Sequence, residues 1–126
     1  PFIIAASKID LPAAPENLQV MAELNPELEI LAVSCYGQGL EELKRKMFEK
    51  LDIIRIYGKA PGRPPDMNQP FILKKGATVL DFAATVHRDF PQQLKSALVW
   101  GSSRFEGQAV SRDYVLADRD VVELQV

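Results

Sequence analysis

The sequence predicts an α/β segment over residues 1–52 followed by an α+β segment over residues 53–126, and three observations carry that division. Two continuous apolar runs, Phe2-Ile3-Ile4-Ala5-Ala6 and Ile30-Leu31-Ala32-Val33, each precede a stretch with helical apolar spacing. That is the β-α-β-α order of a parallel sheet. A Pro- and Gly-rich stretch, Ala60-Pro61-Gly62-Arg63-Pro64-Pro65-Asp66, then interrupts regular structure. Beyond it, strand-like runs flank one well-signalled helix, an arrangement suited to a helix lying on a mixed sheet.

Each element arises from local chemistry. Phe2–Ala6 reads as a buried parallel strand, and Ser7–Ala14 as the loop after it. Pro15 suits the first turn of a helix, where its missing N–H is no loss. Leu18, Met21, Ala22 and Leu24 give that helix, Glu16–Leu24, one apolar face until Asn25-Pro26 stops it. After the strand Ile30–Val33 comes a turn, Ser34-Cys35-Tyr36-Gly37-Gln38-Gly39. A strongly amphipathic helix Leu40–Leu51 comes next, with Leu40, Leu43, Met47 and Leu51 on one stripe. In the second segment Ile53–Lys59 and Phe71–Leu73 are strand candidates. Thr78 with Asp81 makes a T-x-x-D capping pattern ahead of Val79, Phe82, Ala83 and Val86. Phe90-Pro91 is expected to break that helix, and Ala97–Trp100, Gln108–Val110 and Val121–Val126 complete the strands. Two strands, a capped helix and further strands is the order of a β-grasp domain.

Composition narrows the function classes. The 126 residues are 47% hydrophobic and 25% charged, ordinary globular usage. No apolar run approaches the roughly 18 residues of a membrane span, so no membrane role is expected. A single cysteine, Cys35, can form no internal disulfide and has no partner at metal-ligand spacing. A reducing compartment, the cytoplasm, is the expected location, and no metal site is expected. Residues 1–52 carry 5 Lys/Arg against 9 Asp/Glu and residues 53–126 carry 10 against 8, so a net charge of −2 divides into −4 and +2. The chain opens at Pro1 directly before an apolar run, without Met, and reads as part of something longer.

The chemistry-bearing residues of the first segment lie in the loops after its two strands. Ligands of open α/β sheets bind at the carboxyl ends of the strands, where both loops would open together. A carboxylate such as Asp10 can accept two hydrogen bonds from the N1–H and exocyclic amine of guanine, a pattern adenine reverses. The aliphatic stem of Lys8 can cover a ring face, and backbone amides near Cys35 can donate to a carbonyl oxygen.

Ser7-Lys8-Ile9-Asp10 resembles the N-K-x-D motif of P-loop GTPases, and Ser34-Cys35-Tyr36 resembles their S-A-K motif. The resemblance implies guanine-nucleotide binding (GTP/GDP, with Mg²⁺ in an intact parent) by Ser7, Lys8, Asp10, Ser34, Cys35 and Tyr36. Two departures stand out: Ser7 replaces Asn, removing a side-chain amide's hydrogen bond to the base, and Cys35-Tyr36 replaces Ala-Lys. No G-x-x-x-x-G-K-[ST] phosphate loop occurs, so hydrolysis is expected of an intact parent and not of this chain, and no catalytic residue is assigned.

The second segment supplies a longer resemblance. Ile54-Arg55-Ile56-Tyr57-Gly58-Lys59-Ala60-Pro61-Gly62, Pro65-Asp66, Thr78-Val79-Leu80-Asp81-Phe82-Ala83, Val86-His87-Arg88-Asp89, Ala97-Leu98-Val99-Trp100-Gly101-Ser102-Ser103 and Leu116-Ala117-Asp118-Arg119-Asp120-Val121-Val122 together resemble the TGS domain of Obg-related DRG GTPases. This implies a C-terminal G-domain piece over 1–52 and a ubiquitin-like β-grasp TGS domain over 53–126. The TGS domain would serve as a regulatory or docking module toward the ribosome, RNA or a regulatory protein. Arg55, Lys59, Arg63, Lys74, Lys75, Arg88 and Arg104 are candidates for an RNA- or partner-facing patch, the structural alternative being ordinary solvated surface. Trp100 is expected as a core anchor, His87 as a helix-end residue and Asp118-Arg119-Asp120 as a turn before the last strand. The competing reading is a non-catalytic protein- or RNA-binding module whose first segment is a degenerate G-domain remnant.

Overall fold

In the computed structural model, which describes residues 1–126, the chain divides into two compact units, Pro1–Leu51 and Asp52–Val126. In the first, strand β1 (Ile4–Ala6) pairs in parallel with β2 (Ile30–Ala32), Ile4 opposite Ile30 and Ala6 opposite Ala32. Both strands are shorter than their apolar runs. Phe2 and Ile3 lie outside the ladder, because only the last three residues of their run face a bonding partner.

Helix α1 (Ala14–Leu24) connects the strands and carries Pro15 in its first turn. It ends where the backbone and side-chain amides of Asn25 both donate to the Met21 carbonyl, at 3.1 and 3.0 Å. Helix α2 (Leu40–Leu51) occupies the residues its periodicity predicts. Lys46 on α2 bonds Glu29, just ahead of β2, at 2.7 Å. The hydrogen bond from Lys46 holds the Glu29 carboxyl below its ordinary range.

The second unit is a five-stranded mixed sheet with a helix on one face. Its strands are β3 (Ile53–Gly58), β4 (Phe71–Lys74), β5 (Ser96–Trp100), β6 (Gln108–Val110) and β7 (Val121–Gln125), in spatial order β4-β3-β7-β5-β6. Only β3 and β7 run parallel, and they lie side by side at the centre. First and last strands central and parallel, with a helix crossing between, is the β-grasp design that the element order predicts.

Strand alternation decides what is buried. Ile54 and Ile56 of β3, Ala97 and Val99 of β5, and Val122 of β7 face helix α3 (Val79–Val86), and they pack with its Val79, Phe82 and Ala83. Phe71 meets Phe82 edge to face, ring centroids 5.3 Å apart at 84°. The capping pattern is realised in full: Thr78 N–H donates to Asp81 Oδ2 at 2.7 Å, and Asp81 N–H to Thr78 Oγ1 at 3.4 Å.

Two expectations need correction. Helix α3 stops at Val86, yet Phe90-Pro91 does not simply end regular structure, since Phe90–Gln93 forms a further short helix, α4, with Pro in its first turn. Proline's fixed φ suits that position and its missing N–H costs nothing there. Trp100 is not a core anchor. The neighbouring Val99 takes the core position, so Trp100 lies on the opposite face of the sheet, where the Lys59 ammonium stands 4.9 Å from its ring centroid.

The turn Asp118-Arg119-Asp120 before β7 is the polar keystone of this unit. Asp120 is 1% exposed. Its carboxylate accepts from Ser102 N–H at 2.7 Å, Ser102 O–H at 2.5 Å and Ala117 N–H at 2.9 Å. Asp118 accepts from the Arg55 backbone N–H at 2.7 Å, Arg55 Nε at 3.1 Å and Arg55 Nη2 at 2.6 Å. The Arg55 guanidinium therefore holds the Asp118 carboxyl below its ordinary range.

Both carboxylates can be tested. Asp120→Ala leaves buried donors unpaired and should lower stability by about 2–4 kcal/mol, measured by thermal or urea unfolding; a change below about 0.5 kcal/mol would contradict the role given to this residue. Because the folded-state pKa of Asp118 is depressed, its stabilisation is complete above the unfolded value of about 4 and is lost as pH falls through the folded value. The stability difference between the native chain and Arg55→Ala should accordingly narrow on acidification below about pH 4, measured by urea unfolding at a series of pH values.

Candidate functional site

The ladder between β1 and β2 continues past both strands. Val33 N–H donates to the Ala6 carbonyl at 2.9 Å, and Ile9 N–H donates to the Val33 carbonyl at 3.2 Å. The loop holding Ser7, Lys8 and Asp10 is thus bonded directly to the residue preceding Ser34, Cys35 and Tyr36. The structure brings these two groups together at the carboxyl ends of adjacent parallel strands.

Lys8 makes this possible by adopting a left-handed backbone, φ 61°. Such a conformation is uncommon outside glycine, costs on the order of 1 kcal/mol and recurs at ligand-binding turns. Ser7, Lys8 and Asp10 are all exposed, and the Asp10 carboxylate makes no hydrogen bond or ion pair within the chain. It keeps its full accepting capacity for something else.

The second loop is built more tightly. Ser34 is buried; its N–H donates to the Gln38 carbonyl at 3.0 Å, and its own carbonyl accepts from Gly37 N–H at 3.2 Å. Ser34 Oγ accepts from Tyr36 N–H at 3.2 Å. Of the four consecutive amides from 34 to 37, only that of Cys35 is left without an acceptor in the chain. Gly39, at φ 70°, passes so close to β2 that a Cβ there would stand 1.9 Å from the Ala32 carbonyl oxygen. The sequence signal for this geometry is the Gly-x-Gly after the serine; the free Cys35 amide cannot be read from it.

The basic residues of the second unit do not form one surface. Arg55 and Lys59 lie on the sheet face away from α3, where Lys74, opposite Ile53, joins them, but Arg55 is held by Asp118 and Lys59 by Glu123 and Trp100. Lys75 sits in the turn after β4 and Arg63 in the Pro-rich loop, both exposed. Arg88 comes just after α3, on the helix side of the sheet, with its side chain 94% exposed beside Asp89. Arg104 lies in the β5–β6 connection with its guanidinium 5.8 Å from the Phe105 ring centroid. No group of three or more His, Cys, Asp or Glu side chains is placed to hold a metal ion.

Comparison with known proteins agrees with this architecture. A sequence profile of the TGS domain matches residues 54–125. The chain belongs to the TGS-domain family. It is 37% identical over 130 aligned positions to an uncharacterized GTP-binding protein of Methanocaldococcus jannaschii, covering 100% of this chain and 33% of that protein. It is 39% identical over 127 positions to Developmentally-regulated G-protein 3 of Arabidopsis thaliana, covering 98% of this chain and 33% of that protein. The chain thus spans about a third of the length of the curated relatives it matches.

Among solved structures, a GTP-binding protein from Pyrococcus horikoshii superposes with a TM-score of 0.73 at 22% identity, over 99% of this chain and 45% of that one. The YchF GTPase of Schizosaccharomyces pombe superposes with a TM-score of 0.68 at 14% identity, over 99% of this chain and 43% of that one. At those identities the likeness shows the fold. The TGS domain is the β-grasp unit described above, and its mixed sheet is as the resemblance implied. No helix of the chain is long and apolar enough to cross a membrane.

The close approach at Gly39 yields a prediction. Gly39→Ala should displace the turn from β2 and cost about 1–3 kcal/mol locally. Hydrogen exchange should show faster exchange of the Val33 and Ser34 amides with little change in the TGS unit; unchanged protection at both amides would count against the tight turn.

Proposed function

We propose that this chain is the guanine-reading end of a G domain, residues 1–52, joined to a TGS docking domain, residues 53–126, of a cytoplasmic GTP-binding protein of the Obg/DRG kind. The observation that carries this reading is the pair of bonded strand-tip loops, one presenting a free carboxylate at Asp10 and the other a free backbone amide at Cys35. Guanine offers the complements, two donors on one edge and a carbonyl acceptor beside them. Asp10 would take the N1–H and exocyclic amine, the Cys35 amide would donate to the carbonyl oxygen, and the Lys8 stem would lie along a ring face. Adenine presents the reverse pattern and would leave both protein groups unpaired, which is the costly case. That the curated relatives named above are called GTP-binding proteins or G-proteins supports the same assignment.

Hydrolysis and the Mg²⁺ it uses belong, on this reading, to a phosphate-binding portion of the intact protein, since the present residues supply no phosphate loop. The TGS domain would couple nucleotide state to a partner in translation: ribosome, RNA or a regulatory protein. The internally paired Arg55 and Lys59 favour Arg63, Lys74, Lys75 and Arg88 as the cations available to such a partner. A second reading, a binding module with a nucleotide-free G-domain remnant, is favoured by Ser7, which lacks the amide of the family's Asn.

Calorimetry with GDP on the intact protein separates the two. Asp10→Asn should weaken binding by about 10- to 100-fold through loss of charge-assisted hydrogen bonds, and Ser7→Asn should tighten it. Absent GDP binding, or binding indifferent to Asp10→Asn, would favour the second reading.

A further inference from the structure

We infer that Tyr36 is the stacking platform for the nucleotide base, adding affinity that does not depend on which base is bound. This rests on the nucleotide reading above and assigns a role within it.

Tyr36 is 82% exposed, the most exposed of the large hydrophobic side chains. Its ring makes no aromatic, cationic or hydrogen-bonding contact with the rest of the chain, so packing gives no reason for an aromatic at this position. Its backbone, in contrast, is firmly held: Tyr36 N–H is bonded to Ser34 Oγ at 3.2 Å, and the flanking Ser34 and Gly37 amides are bonded at 3.0 and 3.2 Å. The outcome is a large flat π-surface in solvent on a rigid support. It comes immediately after the free Cys35 amide and stands on the loop bonded through Val33 to that of Asp10.

That placement suits a planar base. A base edge held by Asp10 and the Cys35 amide leaves both ring faces open, and an adjacent aromatic covers a face at little conformational cost. Where the related S-A-K motif has Lys, Tyr36 provides a π-face in place of a charged stem. Stacking is tolerant of base identity because every base has such a face, whereas edge-on hydrogen bonds are not. Tyr36 should therefore add affinity common to all bases, while the edge-on hydrogen bonds of Asp10 and the Cys35 amide distinguish one base from another.

The test compares GDP with IDP, which lacks the exocyclic amine, by calorimetry on the intact protein. Tyr36→Ala is expected to weaken both by about tenfold with their ratio preserved, while Tyr36→Phe, which keeps the ring, stays within about twofold of the native protein. Asp10→Asn is expected to reduce the GDP-to-IDP ratio toward unity. If Tyr36→Ala binds both nucleotides as the native protein does while Asp10→Asn still weakens GDP, the stacking role fails and the nucleotide site stands. A ratio altered by Tyr36→Ala also overturns the division of labour. If Asp10→Asn has no effect, the nucleotide reading fails and this inference with it. Circular dichroism of Tyr36→Ala should be native, as expected for so exposed a side chain.

Discussion

Val33 holds the candidate site together through its backbone alone. Its N–H belongs to the Ala6 carbonyl and its carbonyl to the Ile9 amide, so a short parallel ladder is extended into the two loops at its carboxyl end. Parallel strands present their loops at one edge, but proximity alone leaves such loops free to move apart. A direct backbone bond between them removes that freedom, and the left-handed Lys8 is the local cost of returning the chain to make it. With the amides at 34, 36 and 37 satisfied inside the turn, the chemistry left over is a carboxylate, an amide and an aromatic ring.

The two units are stabilised in different ways. The TGS unit has a continuous apolar core between α3 and the sheet, closed by the buried Asp120 network. Gly101 belongs to that network: a Cβ there would stand 2.7 Å from Asp120 Oδ1, at a backbone φ of 122°. The first unit buries little beyond Leu31, Val33 and Ser34, and Phe2, Leu24, Met47 and Leu51 remain exposed. Exposed apolar side chains beside a short parallel sheet are what further strands and helices of an α/β domain would cover. This agrees with a chain matching about a third of its curated relatives.

Two of the strand cations of the TGS unit are spent on the fold. Arg55 braces the turn before β7 through Asp118, and Lys59 lies between Glu123 and the Trp100 ring, so neither is a free cation awaiting a phosphate. Basic residues counted along a strand overstate a binding surface when the neighbouring strand supplies their counter-ions. The remaining candidate cations lie in the Pro-rich loop, at the end of β4 and the turn after it, and just after α3.

Element type is largely legible because each signal is local. Apolar runs mark the strands, apolar spacing marks Leu40–Leu51, and the Thr78/Asp81 pair marks the start of α3, each element lying within a few residues of its expected place. The short helix at Phe90 is not legible, because the same proline that reads as a breaker of α3 serves as a starter for α4, and the choice between those roles is made by the backbone on its C-terminal side. Trp100 reads as a core residue and is not one, because strand phase, and with it the buried face, depends on which neighbour pairs with β5, a property of the sheet as a whole. By itself, then, the chain's sequence determined its elements, their order and the candidate residues of each loop. The bond from Ile9 to Val33, the free amide at Cys35 and the counter-ions of Arg55 and Lys59 were decided by tertiary structure, because each joins residues far apart in the chain or depends on which backbone groups are already satisfied.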